Sequence, residues 1–155
     1  MQPKIIRTDL KDESGRSQMR TFTPADQVLV YCLDAMPAHY ASAKLMYSSA
    51  RRWIEERIAC VPQRLRFVDL GCGPATCALA FMEIFGDSVG SMEYEGVDIS
   101  ESMHQMGERM LQAGYGDRVF YHKMTRFEQL DDDHWNAVSA VPTVIFFNFS
   151  YFFTS

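Results

Sequence analysis

The chain has 155 residues, 47% of them apolar and 23% charged, with a formal net charge of −5. This is the composition of one globular domain with enough apolar surface to bury a core. Its acidic balance argues against unaided binding to a nucleic-acid backbone, where Lys and Arg supply most of the affinity, and no run approaches the roughly 18–20 apolar residues that span a bilayer.

Residues 1–22 are polar and charge-mixed and read as a flexible arm or lid. Thr23-Pro24-Ala25-Asp26 is a helix start, with Thr23 placed to cap and Pro24 suited to the first turn. That helix is predicted to run to about Ala35. Pro37 interrupts the pattern, and a second helix follows from about Ala38 to Ile58, with Tyr40, Ala43, Tyr47 and Ile54 among its buried positions.

Leu65 to Leu70 reads as a short buried strand that ends in a glycine-rich turn, Gly71-Cys72-Gly73-Pro74. Thr76 to Phe85 is a mostly apolar helix, and Glu93 to Ile99 a second strand containing Asp98. Ser100 or Ser102 caps a third helix, with Met103, Met106, Met110 and Leu111 as its core face and Gly114 as its stop. Arg118 to His122 is a third strand, Phe127 to Leu130 a helical turn, Asp131-Asp132-Asp133 a solvated loop, and Thr143 to Phe149 a fourth, strongly apolar strand. Strands alternating with helices imply parallel βαβ units.

In open α/β sheets, ligands bind outside the carboxyl ends of the strands. At the first such end, glycines allow a sharp turn and close backbone approach. The loop amides and the positive N-terminal end of the next helix are expected to face an anionic group. Asp69, just before the turn, suits an ammonium. At the second end, Asp98 can accept two hydrogen bonds from a ribose diol. It lies a little over twenty residues past the loop, as in nucleoside-binding βαβ units. Ile99 is placed to cover one face of an adenine.

The run Phe67-Val68-Asp69-Leu70-Gly71-Cys72-Gly73-Pro74-Ala75-Thr76 closely resembles the first motif of class I, Rossmann-like S-adenosylmethionine-dependent methyltransferases, and Gly96-Val97-Asp98-Ile99-Ser100 resembles their second. The resemblance covers roughly residues 50–150 and draws its specificity from the two motifs together. It implies a mostly parallel Rossmann-like sheet and S-adenosyl-L-methionine as cofactor. Asp69, Gly71, Cys72, Gly73, Pro74 and Thr76 would lie at its methionine end, and Asp98, Ile99 and Ser100 at its nucleoside. The acidic residue that family members often carry after the third strand is replaced here by Lys123-Met124-Thr125-Arg126, leaving Met124 or Thr125 as the adenine contact. Asn148 and Tyr151, after the fourth strand, have the spacing of the substrate-side Asn and aromatic of some nitrogen methyltransferases, without the central proline pair. Met36-Pro37-Ala38-His39-Tyr40 more weakly resembles a segment of the mitochondrial-type small-ribosomal-subunit methyltransferase-like family, which would imply an RNA partner.

The expected function is methyl transfer to RNA, protein or a small molecule. The alternative is a non-catalytic module of the same fold, or a fragment, acting through partner binding. A nicotinamide dinucleotide site fits less well, because Thr76 stands at the third glycine position and an acid precedes the first. The cysteines, Cys32, Cys60, Cys72 and Cys77, lack C-x-x-C or zinc-finger spacing. With no signal peptide, they read as reduced thiols in a cytoplasmic protein. His39, His104, His122 and His134 read as structural or surface residues, and no metal site is expected. Arg51, Arg52, Arg57, Arg64 and Arg66 form a basic cluster offset by Glu55 and Glu56. Only four of the seven strands of the full fold can be placed. The sequence therefore reads as truncated after its fourth strand, or as having that hydrophobic edge covered by a second copy.

Overall fold

A computed structural model of the chain describes residues 7–11, 17–60, 64–131 and 144–149. Within the stretch expected to be an arm, β1 (Arg7–Lys11) and β2 (Ser17–Thr21) pair antiparallel as a two-stranded ribbon. Helix α1 (Pro24–Asp34) starts at the capping box the sequence announces: Thr23 Oγ1 accepts from the Asp26 amide, and Asp26 accepts from the Thr23 amide. As expected, the helical stretch breaks at Ala35, just before Pro37. Pro37 itself lies in the first turn of α2 (Met36–Ser49), which starts two residues before the expected Ala38, and its missing amide costs nothing there. The long second helix expected to reach Ile58 instead divides at Ala50 into α2 and α3 (Arg51–Ala59). Ser49 bonds back to the Leu45 carbonyl at 2.8 Å just before the break, a contact that bends helices.

The remainder is a four-stranded, all-parallel sheet of the Rossmann-like α/β kind. Its strands are β3 (Arg64–Leu70), β4 (Ser91–Val97), β5 (Val119–Met124) and β6 (Val144–Asn148), in the spatial order β5-β4-β3-β6. The chain moves outward from β3 through β4 to β5 and then returns to the other side of β3. That reversal creates a crevice at the carboxyl ends of β3 and β6, where ligands of such sheets bind. Helix α4 (Thr76–Phe85) joins β3 to β4, and α5 (Glu101–Tyr115) joins β4 to β5. Among the described residues β6 is the outer strand; Tyr151 and the rest of 150–155 lie outside them, as do Asp132, Asp133 and His134.

One sheet face carries the main core. Phe67, Tyr94 and Phe146 point to α4, whose Phe81 is fully buried and meets Phe67, Phe146 and Tyr47 of α2 at 5.1–5.4 Å between ring centroids. Tilted and edge-on pairs of this kind add to area burial. The other face holds a smaller cluster of Val68, Leu70, Val97, Met124 and Leu130. Arg66, on that face, reaches Glu95 at 2.6 Å.

Helix α5 corrects the expected core face. Its buried positions are His104, Gly107 and Leu111, while Met103, Met106 and Met110 are only half-buried beside them, and the helix runs past Gly114 to Tyr115. Gly107 is where α5 crosses the glycine loop. A Cβ there would stand 3.0–3.1 Å from the Pro74 carbonyl carbon and from the nitrogen and Cβ of Ala75. Gly107→Ala should therefore overpack this crossing and destabilise the chain by about 1–3 kcal/mol in urea unfolding. A stability equal to that of the parent chain would show that the crossing has room to spare.

Candidate functional site

Strand register sets the centre of the site. Asp69 lies opposite Gly96 of β4 on one side and Asn148 of β6 on the other. The Tyr94 hydroxyl donates to Asp69 Oδ2 at 3.0 Å, and the Asn148 amide donates to Oδ1 at 2.6 Å. The carboxyl is 1% exposed. Burial pushes its pKa up to about 6, against these two hydrogen bonds, which pull it down; the nearby charge of Asp98 adds to the rise. The cluster needs a glycine beside it. A Cβ at Gly96 would come within 3.0 Å of Cys72 Sγ and of the Tyr94 ring, and 3.1 Å of the Tyr121 hydroxyl.

The loop after β3 is a tight turn with three residues at positive φ: Gly71 at 72°, Gly73 at 51° and Ala75 at 58°. Its amides have partners within the fold. Gly71 and Cys72 donate to the Val97 carbonyl at 2.8 and 3.2 Å, and Ala75 donates to the Cys72 carbonyl at 3.0 Å. Gly73 donates to Asp98 Oδ2 at 3.0 Å, and Pro74 has no N–H. Helix α4 has no side-chain cap at Ala75. The hydroxyl of Thr76, its first residue, is buried with no hydrogen-bond partner among the described residues.

Asp98 sits half-buried just beyond β4. Each of its oxygens holds one backbone amide, Oδ2 that of Gly73 and Oδ1 that of Ser100 at 2.8 Å. An ionised carboxylate offers about four lone-pair sites, and the hydrogen bonds among the described residues use two of them. Ser100 also caps α5 by accepting from the Met103 amide at 3.3 Å. Ile99 stands 77% exposed beside Asp98. Met124 is buried in the opposite-face cluster. Thr125 is exposed, with its amide donated to Gln129 Oε1 at 2.8 Å. Asn148, expected on the substrate side, is 7% exposed with its amide on Asp69.

Sequence reasoning missed the residue that fastens this end of the sheet. His104, 1% exposed, places Nε2 2.9 Å from the Asp98 carbonyl and 3.1 Å from the Met124 carbonyl. Carbonyls only accept, so Nε2 carries the proton. Nδ1 then accepts from the Tyr121 hydroxyl at 2.9 Å. Only the spacing of 104, 107 and 111 on one face of α5 hints at this in the sequence. Tyr31 of α1 and His39 of α2 were likewise not singled out as site residues. Among the described residues beyond its chain neighbours, the Tyr31 hydroxyl is the nearest atom to a Cβ built on Gly73, at 3.9 Å. The four cysteines are all free thiols, and among the described residues no group of His, Cys, Asp and Glu could hold a metal ion. No described helix is long and apolar enough to cross a membrane.

No protein-family model matches this chain, and no curated protein matches it. Among solved structures, it is similar to the YcgJ protein from Bacillus subtilis, with 25% identity and a TM-score of 0.30. The match covers 44% of this chain and 28% of that one, so it spans well under a third of YcgJ.

The raised pKa of Asp69 has a definite sign. Its folded-state value of about 6 lies above the ordinary 3.8, so the folded chain binds more protons between them. Stability therefore falls as pH rises from about 4 to 6 and is flat above, by about 3 kcal/mol in all. Asp69→Asn should remove that slope and raise unfolding free energy at pH 8 by about 1–3 kcal/mol. Urea unfolding at pH 5 and pH 8 checks this; a variant less stable than the parent at pH 8 contradicts it.

Proposed function

We propose that this chain binds S-adenosyl-L-methionine across the carboxyl ends of β3 and β4 and is a methyltransferase. The observation that carries this reading is a pair of carboxylates in unlike settings on either side of one glycine loop. Asp69 is buried, costly to ionise and served only by neutral donors, which suits the ammonium of the cofactor's amino-acid part. Asp98 is half-buried, and the hydrogen bonds among the described residues use only two of its lone-pair sites, which suits the ribose diol. The uncapped start of α4 and the buried Thr76 hydroxyl suit the cofactor's carboxylate. Ile99, exposed next to Asp98, suits one face of the adenine, with Met124 and Thr125 beyond it.

Such a cofactor supplies an activated sulfonium methyl for in-line displacement by an acceptor lone pair. The chain's own contribution is then proximity and alignment rather than a dedicated base. On the acceptor side, Tyr47, Phe67, Phe146 and Phe149 line an apolar groove that includes Asn148. The acceptor is RNA, protein or a small molecule. One observation favours the second reading, a non-catalytic binding module: Asn148, placed where a substrate-side group is expected, is turned onto Asp69.

Calorimetry with S-adenosylhomocysteine tests the cofactor site. Asp98→Ala should weaken binding by about 1.5–3 kcal/mol, the worth of hydrogen bonds to a charged group. Unchanged affinity removes the ribose assignment. Gly73→Val should still fold, because among the described residues beyond its chain neighbours its Cβ meets nothing nearer than the Tyr31 hydroxyl at 3.9 Å. Positive φ there strains a branched residue by about 1–2 kcal/mol. Binding should nonetheless be lost, since the new side chain projects into the space above the loop; normal binding would place the site elsewhere. Transfer of a labelled methyl group to RNA, protein and small-molecule fractions separates the two readings: binding without transfer to any fraction leaves the non-catalytic module.

A further inference from the structure

The ladder between β4 and β5 ends where Val97 pairs with Met124. Asp98, one residue on, is fastened through its backbone as well as its side chain. Its amide donates to the Met124 carbonyl at 3.0 Å. Among the described residues, the donor to its own carbonyl is His104 Nε2 at 2.9 Å, and the same N–H reaches the Met124 carbonyl at 3.1 Å. The His104 amide donates to the Ser100 carbonyl at 3.2 Å, and the Ser100 amide donates to Asp98 Oδ1 at 2.8 Å. These bonds close a ring that runs from the Asp98 carbonyl through His104 and Ser100 to the Asp98 carboxylate. One residue of α5 thus grips both the backbone and the side chain of Asp98. On its other side the imidazole accepts from the Tyr121 hydroxyl of β5 at 2.9 Å, which fixes the ring in place. An apolar side chain at 104 would still pack α5 on the sheet, but it would leave the Asp98 carbonyl without this donor.

We propose that His104 is a positioning residue for nucleoside binding: through the Asp98 carbonyl and the Ser100 amide, it holds the Asp98 carboxylate in the orientation that a ribose diol requires. The proposal rests on the cofactor reading given above. A diol gives two directed hydrogen bonds to one carboxylate, and a binding group of this kind must be held within about 0.5 Å of its productive place. Asp98 lies past the end of β4. Among the described residues, the sheet supplies its backbone with one bond, from its amide to Met124. His104 supplies the rest, as partners behind a ligand-holding group commonly do. Binding and the His104 bonds are then linked. Whatever His104 adds to the affinity for the diol, the bound diol returns to the stability of the His104 bonds.

Calorimetry with S-adenosylhomocysteine on the full 155-residue chain tests this as a double-mutant cycle. His104→Ala should weaken binding about fivefold, the net worth of one hydrogen bond. It should have no further effect in an Asp98→Ala background, because it acts through that carboxylate. His104→Gln, whose amide can donate near the position of Nε2, should restore the parent affinity. A second measurement, on the parent chain, decides the matter should His104→Ala not fold. Saturating 5′-methylthioadenosine, which carries the diol, should slow hydrogen exchange at His104 Nε2 and at the Asp98 amide by NMR; 2′,3′-dideoxyadenosine, which lacks the diol, should not. Four results overturn the proposal while the cofactor reading stands: His104→Ala binding as the parent does, an equal loss in both backgrounds, a His104→Gln variant as weak as His104→Ala, or exchange that does not respond to the diol. Asp98→Ala binding as the parent does, or a parent chain that binds no nucleoside, overturns the ribose assignment and this proposal with it.

Discussion

A carboxylate buried at the carboxyl edge of the sheet is the constraint around which the site is arranged. Asp69 lies on the central strand β3, and its two oxygens are held by Tyr94 from β4 and Asn148 from β6. It therefore ties three strands together where the chain reverses direction. Everything that touches it is neutral. Burial pushes the Tyr94 hydroxyl well up, and it pushes the Cys72 thiol up too, with the charges of Asp69 and Asp98 adding to that shift. Neutral donors stabilise the anion only partly, so the fold carries an unfavourable charge that a cationic ligand group would relieve.

The glycine loop is shaped from both sides by the absence of side chains elsewhere. Gly96 leaves room for Cys72, Tyr94 and Tyr121 beneath it, and Gly107 lets α5 press on the Pro74–Ala75 backbone. Ala75 takes a left-handed conformation although it has a Cβ, which costs about 1–2 kcal/mol. The turn offsets this by spending its amides internally. A loop so tightly self-bonded is a rigid floor at the carboxyl end of β3.

The two faces of the sheet are used differently. The face toward α4 holds the aromatic cluster around Phe81 and the polar side chains from Asp69 to His104, so the core packs directly against the candidate site. The other face places Arg66 against Glu95, which is completely buried, beside a short aliphatic cluster. Replacing one member of such a pair leaves an uncompensated buried charge. Phe120, Ile145 and Phe147 on that face are at least one-third exposed among the described residues.

Much of this was legible in the sequence, because it depends on local chemistry. The strand–glycine turn–helix unit, the Thr23 cap, the Ser100 cap and the acid after the second strand follow from turn geometry, capping and alternation over a few residues. So do the parallel class and the pairing of Asp69 with Asp98 about one loop. Tertiary structure decided what depends on register and crossing. Asn148 faces Asp69 because β6 pairs with β3 at that step. The loop amides are spent because Val97 and Asp98 come to lie beneath them. His104, rather than the methionines, is core because α5 presses its glycine face to the loop, and Tyr31 meets His39 because α1 packs on α2. A sequence states which groups a strand end offers; only the packed chain determines which of those groups are already bound to each other.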